Sequence, residues 1–419
     1  MSGNTPIKGV PSNIPIKSKG AALLWDESFL WGLVALRALR DAGLDFTLIN
    51  SADVRQRALK DYRLLYVPGG WASNKLKALG EEGALEIRRF VEAGGSYAGV
   101  CGGAGLATSE GLGLLDIRRR PLERRVPSLS GRIRAAVSPH PIWRGIGMPE
   151  FHIWWPSQME PAEDGPVKIL ASFEGATSDT FSSDLNVADT PDLDRMEQIY
   201  KLNLDPRRMR GSPLVMEGVF GAGRVFITLI HFDTPGDLSG RRALENLWEY
   251  MGCGRAPNDE TAGQDKMADQ SAERAARELA APVEELYRFG LRNFLWFQRG
   301  WVVQWRRGVR GLEYFTLREM ARELAFLSRG EKSRALADET GLSALAGEVR
   351  RFTEKAKKLL MLERLALQEG RPITFSSASS DEMAALRTEL FSGSKSHGGA
   401  FKAVLDRMDA LLYRFLKAR

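Results

Sequence analysis

Cysteine and histidine are scarce: two cysteines, Cys101 and Cys253, and four histidines occur in 419 residues. Two cysteines are too few for a disulfide framework and lack metal-ligand spacing, which suits a reducing compartment and leaves each a free thiol. No run approaches the roughly 20 uninterrupted apolar residues that cross a bilayer. The first twenty residues, with Lys8, Lys17 and Lys19, hold no apolar core of a secretion signal. These absences lead to a soluble cytoplasmic protein with a loose leader over residues 1–20, no metal site and no cofactor.

What is present is an ordinary globular composition, 43% hydrophobic and 27% charged. The length exceeds what one core normally sustains, so two domains are expected. The net charge of +6 is uneven. Residues 264–419 carry 28 Lys and Arg against 21 Asp and Glu, whereas residues 1–263 carry 31 against 32. Nucleic acid or an anionic membrane surface is one reading of that basic excess. Solvated faces of long helices are the plainer one.

From Ala21 onward, short apolar runs alternate with helical patterns, as a parallel sheet covered by helices requires. Strands are expected at Ala21–Trp25, Phe46–Ile49, Arg63–Val67 and Ser96–Val100, and helices at Leu30–Ala42 and Leu76–Ala93. A doubly wound sheet follows, with a ligand crevice at the carboxyl ends of its strands. Residues 118–211, rich in proline, tryptophan and polar loops, look like an insertion around that crevice. Leu214–Val219 and Arg224–Ile230 read as a hairpin, and Arg241–Met251 as a closing helix. A linker is expected over 253–270. Beyond it, Ala272–Gln298, Leu317–Leu327, Leu345–Leu367, Met383–Leu390 and Phe401–Leu416 are apolar at helical spacing, so residues 271–419 are expected to form a basic all-α bundle. Thr374–Ser380 and Ser392–Gly399 read as its mobile loops.

Gly99-Val100-Cys101-Gly102-Gly103 has the Gly-x-nucleophile-x-Gly form, whose small flanks permit the strained turn that lifts a nucleophile above a sheet. The helix start behind Cys101 favours an anionic thiolate. The Gly102 amide, and one from Pro68-Gly69-Gly70 on the neighbouring strand, suit a developing oxyanion. His231 follows the strand Arg224–Ile230, with Asp233 two residues on. In an extended segment the two side chains share one side, and the carboxylate can orient the imidazole. Glu27, after the first strand, is an alternative acid and would suit glyoxalase-like or redox-sensing chemistry.

A Gly-Gly after the third strand, a Gly-x-Cys-x-Gly elbow and a late His-x-acid resemble class I glutamine amidotransferases, whose sheet is flavodoxin-like. Gly95–Ala107 in particular resembles the cysteine turn of the biotin–protein ligase amino-terminal-domain family, a branch of that fold. The resemblance covers residues 21–252. It implies Cys101 as nucleophile, His231 as base, Asp233 as orienting acid, and Gly70 and Gly102 beside the oxyanion. His231-Phe232-Asp233 replaces the usual His-Pro-Glu, and no counterpart of the glutamine-holding residues is found. The glycine- and arginine-rich adenylate loop of a biotin-ligase catalytic domain is also absent.

Other residues read as structural. His140 and His152 lie in the insertion, and Cys253 precedes the linker. Phe151–Trp155 fits either a crevice wall or, preferably, core packing. Phe294–Arg307 reads as a helix apolar on all sides, hence buried in the bundle or at a self-association interface. The function expected is an amidotransferase-like cysteine hydrolase acting on a small amide or ester through a Cys101 acyl intermediate. The alternative is a catalytically silent ligand-binding or scaffold protein whose basic helical domain engages a protein partner.

Overall fold

The computed structural model describes residues 19–163, 165–256, 270–329, 341–371, 373, 374, 377–393 and 396–418. The expected leader, apart from residues 19 and 20, and residues 257–269 of the expected linker lie outside these. So do residues 375, 376, 394 and 395 of the two expected loops.

Eight elements run in β-α order: β1 (Lys19–Leu24), α1 (Leu30–Asp41), β2 (Phe46–Ile49), α2 (Ser51–Arg55), β3 (Tyr62–Val67), α3 (Ala72–Glu92), β4 (Ser96–Val100) and the one-turn α4 (Gly102–Leu106). The next stretch holds β5 (Ile117–Arg119), β6 (Leu129–Val137), β7 (Glu150–Trp154), β8 (Met159–Pro161), β9 (Lys168–Ala176), β10 (Phe181–Ser182), β11 (Leu185–Asn186) and α5 (Leu193–Tyr200). The hairpin β12 (Pro213–Phe220) and β13 (Gly223–Thr228) and the helix α6 (Leu238–Tyr250) close this half.

Five strands lie parallel in the order β2-β1-β3-β4-β13. Their sequences are continuous apolar runs because both faces are covered; Ala21–Leu24 and Leu64–Val67 are essentially inaccessible. The sheet then continues antiparallel through β12, β9 and β6, with β7 and the short β10–β11 pair joined to β6. The fold is therefore α/β with a mixed sheet, where a mostly parallel one was expected. Its antiparallel wing comes from the stretch read as an insertion. In β6, buried Leu129, Ile133 and Ala135 alternate with the more accessible Arg132 and Arg134, the period-two pattern of a sheet with one wet face.

The second half contains α7 (Gln270–Arg292), β14 (Trp296–Arg299), β15 (Val302–Trp305), α8 (Gly311–Leu327), α9 (Leu342–Gln368), α10 (Asp381–Phe391) and α11 (Gly399–Lys417). The all-α expectation fails at one place. Phe294–Trp305 is not helical: α7 stops at Arg292, Phe294 takes φ +56°, and β14 and β15 form a hairpin around Gly300 (φ +55°) and Trp301. The reversal has local causes. The Trp296 ring packs so tightly on Gly290 that an added Cβ there would lie 1.9 Å from it. Val302 and Val303 favour strand, and glycine admits the turn. Trp296, Val302 and Val303 are buried while Phe297 is half exposed, so the aromatics do not form an apolar helix.

The two halves share one continuous apolar core. Polar contacts fasten them together: Arg37 reaches Glu319 and Glu323 at 3.2 and 2.6 Å, and Tyr413 donates to Asp53 at 2.8 Å. Among the described residues no helix is long and apolar enough to cross a membrane.

Candidate active site

The carboxyl ends of four neighbouring parallel strands, in the spatial order β13, β4, β3 and β1, carry the segments with His231, Cys101, Gly70 and Glu27. Cys101 holds φ +49°, ψ −100°, a conformation costly for a residue with a Cβ and one that concentrates at functional positions. The Cys101 amide donates to the Thr228 carbonyl at 2.8 Å, which ties the turn to β13. Glycine follows for a steric reason: a Cβ on Gly102 would fall 1.9 Å from the Gly70 carbonyl oxygen. That contact brings the two glycines together beside the thiol, and neither amide donates to an acceptor among the described residues.

His231 is fully buried and Asp233 nearly so. His231 Nδ1 donates to Asp233 Oδ1 at 2.9 Å, and its backbone amide donates to the His152 carbonyl. This fixes the tautomer that turns Nε2 away from the carboxylate. Nε2 is buried with no hydrogen-bond partner, while the Cys101 thiol points at the Trp154 carbonyl, 4.0 Å away. Burial works against an imidazolium here. The Asp233 carboxylate and the neighbouring Cys101 outweigh it and raise the His231 pKa to about 9. A thiol beside an imidazolium is a setting that favours thiolate chemistry.

Cys101, His231, Asp233, Gly70 and Gly102 thus meet at the carboxyl ends of the parallel strands. The Glu27 carboxylate is engaged elsewhere, by Lys402 of α11 at 2.8 Å and by Asn74 at 3.2 Å. Its backbone carbonyl packs on Gly70, where a Cβ would come within 2.4 Å of it. His152 pairs with Asp237 at 2.6 Å, and Asp237 also caps α6 through the Gly240 amide. His140 accepts from the Ile142 amide at 3.3 Å. Burial pushes the Cys253 thiol up to about 12. No group of His, Cys, Asp and Glu among the described residues is arranged to hold a metal.

Sequence reasoning missed Trp31 and Trp301 beside the site, and read Phe151–Trp155 as either a crevice wall or, preferably, core. Trp31 lies with its ring centroid 4.5 Å from the His231 ring, and Trp155 and Trp301 lie 6.4 and 6.0 Å from Trp31. Phe151, Ile153 and Trp154 are buried in β7, whereas Trp155, at φ +51°, faces the other indoles. Alternation in Trp296–Trp305 around a Gly-Trp turn was the signal that could have put Trp301 at a hairpin tip.

Residues 49–111 match the family model described as biotin-protein ligase, N terminal. No curated protein matches the chain. Among solved structures, one described as a GMP synthase component from Thermoplasma acidophilum aligns with 56% of this chain and 94% of its own, at 14% identity and TM-score 0.36. A ThuA-like protein from Bacteroides uniformis aligns with 58% of this chain and 95% of its own, at 14% identity and TM-score 0.34. A β-galactosidase from Bacillus circulans sp. alkalophilus aligns with 58% of this chain but only 34% of its own, at 14% identity and TM-score 0.37. Over the segment that contains Gly70, Cys101 and Gly102, the chain is similar to the amino-terminal part of biotin–protein ligases.

Proposed function

We propose that the protein is a cysteine hydrolase of class I amidotransferase type that cleaves a small amide or ester. The observation that carries this reading is the buried His231–Asp233 pair, which leaves Nε2 unpartnered beside Cys101. His231 takes the thiol proton, and Asp233 holds the ring and stabilises its charge. The thiolate adds to the substrate carbonyl, and the Gly70 and Gly102 amides donate to the oxyanion. Collapse breaks the bond to the leaving group, which departs with the proton from His231. Water then attacks the thioester, gives its proton to His231, and releases the acid and the thiol.

The order of the five parallel strands supports a flavodoxin-like, doubly wound reading of residues 21–252, with residues 271–419 as a second, basic domain. The unpaired state of both cysteines supports a cytoplasmic setting. A second reading, a ligand-binding protein without turnover, is favoured by the packing of Trp301 over the crevice. Incubation with p-nitrophenyl esters and mass analysis of the intact chain separates the two. An acyl mass that maps to Cys101, absent in Cys101→Ser, is expected; p-nitrophenol release at an unchanged rate in Cys101→Ser contradicts the hydrolase reading.

A further inference from the structure

Five of the ten tryptophans gather beside Cys101 and His231, and they come from three separate segments of the chain. Trp31 stands on α1, Trp154 and Trp155 at the end of β7, Trp301 at the hairpin tip, and Trp305 at the end of β15. Their ring centroids form a chain of contacts: Trp31 to Trp301 at 6.0 Å, Trp301 to Trp154 at 5.5 Å, Trp154 to Trp155 at 5.8 Å, and Trp155 to Trp305 at 5.0 Å. Trp31 also lies against His231, so this aromatic wall reaches the reacting groups.

The hairpin is anchored to the sheet rather than to its own half alone. Arg299 donates to Ser130 Oγ at 3.2 Å and to Gln304 at 2.9 Å, and it lies over the Trp154 and Phe181 rings. Gln304 in turn donates to the Ser183 carbonyl at 2.7 Å. Backbone strain collects at the same rim: Glu27, Phe29, Cys101 and Trp155 all hold positive φ, where non-glycine residues stay only if their surroundings impose it. Glu27 is held by Lys402 and Asn74, Asp233 by His231, and Arg299 by Gln304 and Ser130, although Asp233 Oδ2 and Arg299 Nε stay buried without a partner. The wall that reaches His231 is indole.

Resting on Cys101 as the nucleophile, we propose that the Trp296–Trp305 hairpin is the lid of the crevice and that Trp301 is a specificity-determining residue. It selects amides and esters whose acyl group is flat or aliphatic and uncharged. That group stacks on the Trp301 indole beside Trp31, in the offset or edge-on geometry that aromatic faces favour. A free amino acid end loses more by desolvating its ammonium and carboxylate than indole faces return, and is disfavoured.

Alkylation of Cys101 in the full-length protein tests this without a known substrate. Labelling at Cys101 is followed by peptide mass analysis with iodoacetamide, N-benzyl-iodoacetamide and iodoacetate, each rate divided by that of free cysteine. Normalised in this way, the benzyl reagent is expected to outpace iodoacetamide about three- to tenfold, the range an aromatic contact provides, and iodoacetate to lag behind both. Trp301→Ala is expected to remove the benzyl preference, Trp301→Phe to retain most of it, and Phe297→Ala, on the outer face of the hairpin, to leave it intact. A benzyl preference that survives Trp301→Ala overturns the inference, as does an equal acceleration of all three reagents in that variant, which would make Trp301 a plug. A different result sinks the underlying reading: iodoacetamide labelling of Cys101 that is slow and indifferent to His231→Ala removes the nucleophile, and the selectivity built upon it.

Discussion

Each half of the molecule buries a pair of a cationic side chain and a carboxylate, and the two pairs are used differently. In the sheet half, His231 gives one ring nitrogen to Asp233 and leaves the other buried without a hydrogen bond, close to Cys101. In the helical half, Arg387 spends its whole guanidinium. It donates twice to Glu363, at 3.0 and 2.8 Å, and then to the Thr374, Ser377 and Gly308 carbonyls. The guanidinium staples a loop to α9 and α10, although Glu363 Oε2 is left buried without a partner. The pair with a spare nitrogen sits where four strand ends meet. An orphaned polar atom is thus not distinctive alone; the one on His231 marks chemistry because it lies beside a strained cysteine.

The contrast can be broken at either pair. His231→Ala is expected to lower the rate of p-nitrophenyl ester hydrolysis by about 10²- to 10⁴-fold, the usual share of a positioned acid–base group. It also strands the buried Asp233 carboxylate and lowers stability in urea, so the rate is compared per folded molecule. Arg387→Ala should lower stability without touching the chemistry. It strands the Glu363 carboxyl in the bundle and costs roughly 3–5 kcal/mol of stability in urea unfolding, while alkylation of Cys101 per folded molecule stays near the wild-type rate.

Proton linkage separates the halves again. The His231 pKa is raised above the ordinary value, so its contribution to stability is complete below about pH 6.5 and is lost as pH rises through about 9. Burial raises the Glu363 carboxyl to about 7 against the pull of Arg387. The folded state therefore holds that proton more tightly, and this contribution fades between about pH 4.5 and 7. Urea unfolding across pH should show both declines in the wild type, with the upper one flattened in Asp233→Asn and the lower one flattened in Glu363→Gln. The smallest effect belongs to the seam: Lys402→Met removes a partly exposed pair with Glu27 and should cost no more than about 1 kcal/mol.

Legibility in the sequence followed how local the determining physics is. The boundaries of β2, β3 and β4, the Cys101 elbow and the His231–Asp233 spacing could be read because each rests on a few consecutive residues. A glycine where a side chain would strike Gly70, or an alternation of two, announces itself. The antiparallel wing was harder, since residues 118–211 find their partners across long stretches of chain and β6 alone pairs with β7, β9 and β10. Phe294–Trp305 misled because periodicity weighs composition, and a hairpin half buried on each strand is nearly as apolar as a buried helix. Trp301 could not be assigned to the crevice at all, because its neighbours Trp31 and Trp154 lie some 270 and 147 positions away in the chain.

The central claim is that His231 and Cys101 act as one unit. Its most direct test is the pH profile of Cys101 alkylation by iodoacetamide in the wild type and in His231→Ala. The prediction is that Cys101 is labelled faster in the wild type than in His231→Ala and with a different pH dependence, because His231 takes up the thiol proton. Superimposable profiles from the two proteins would contradict it.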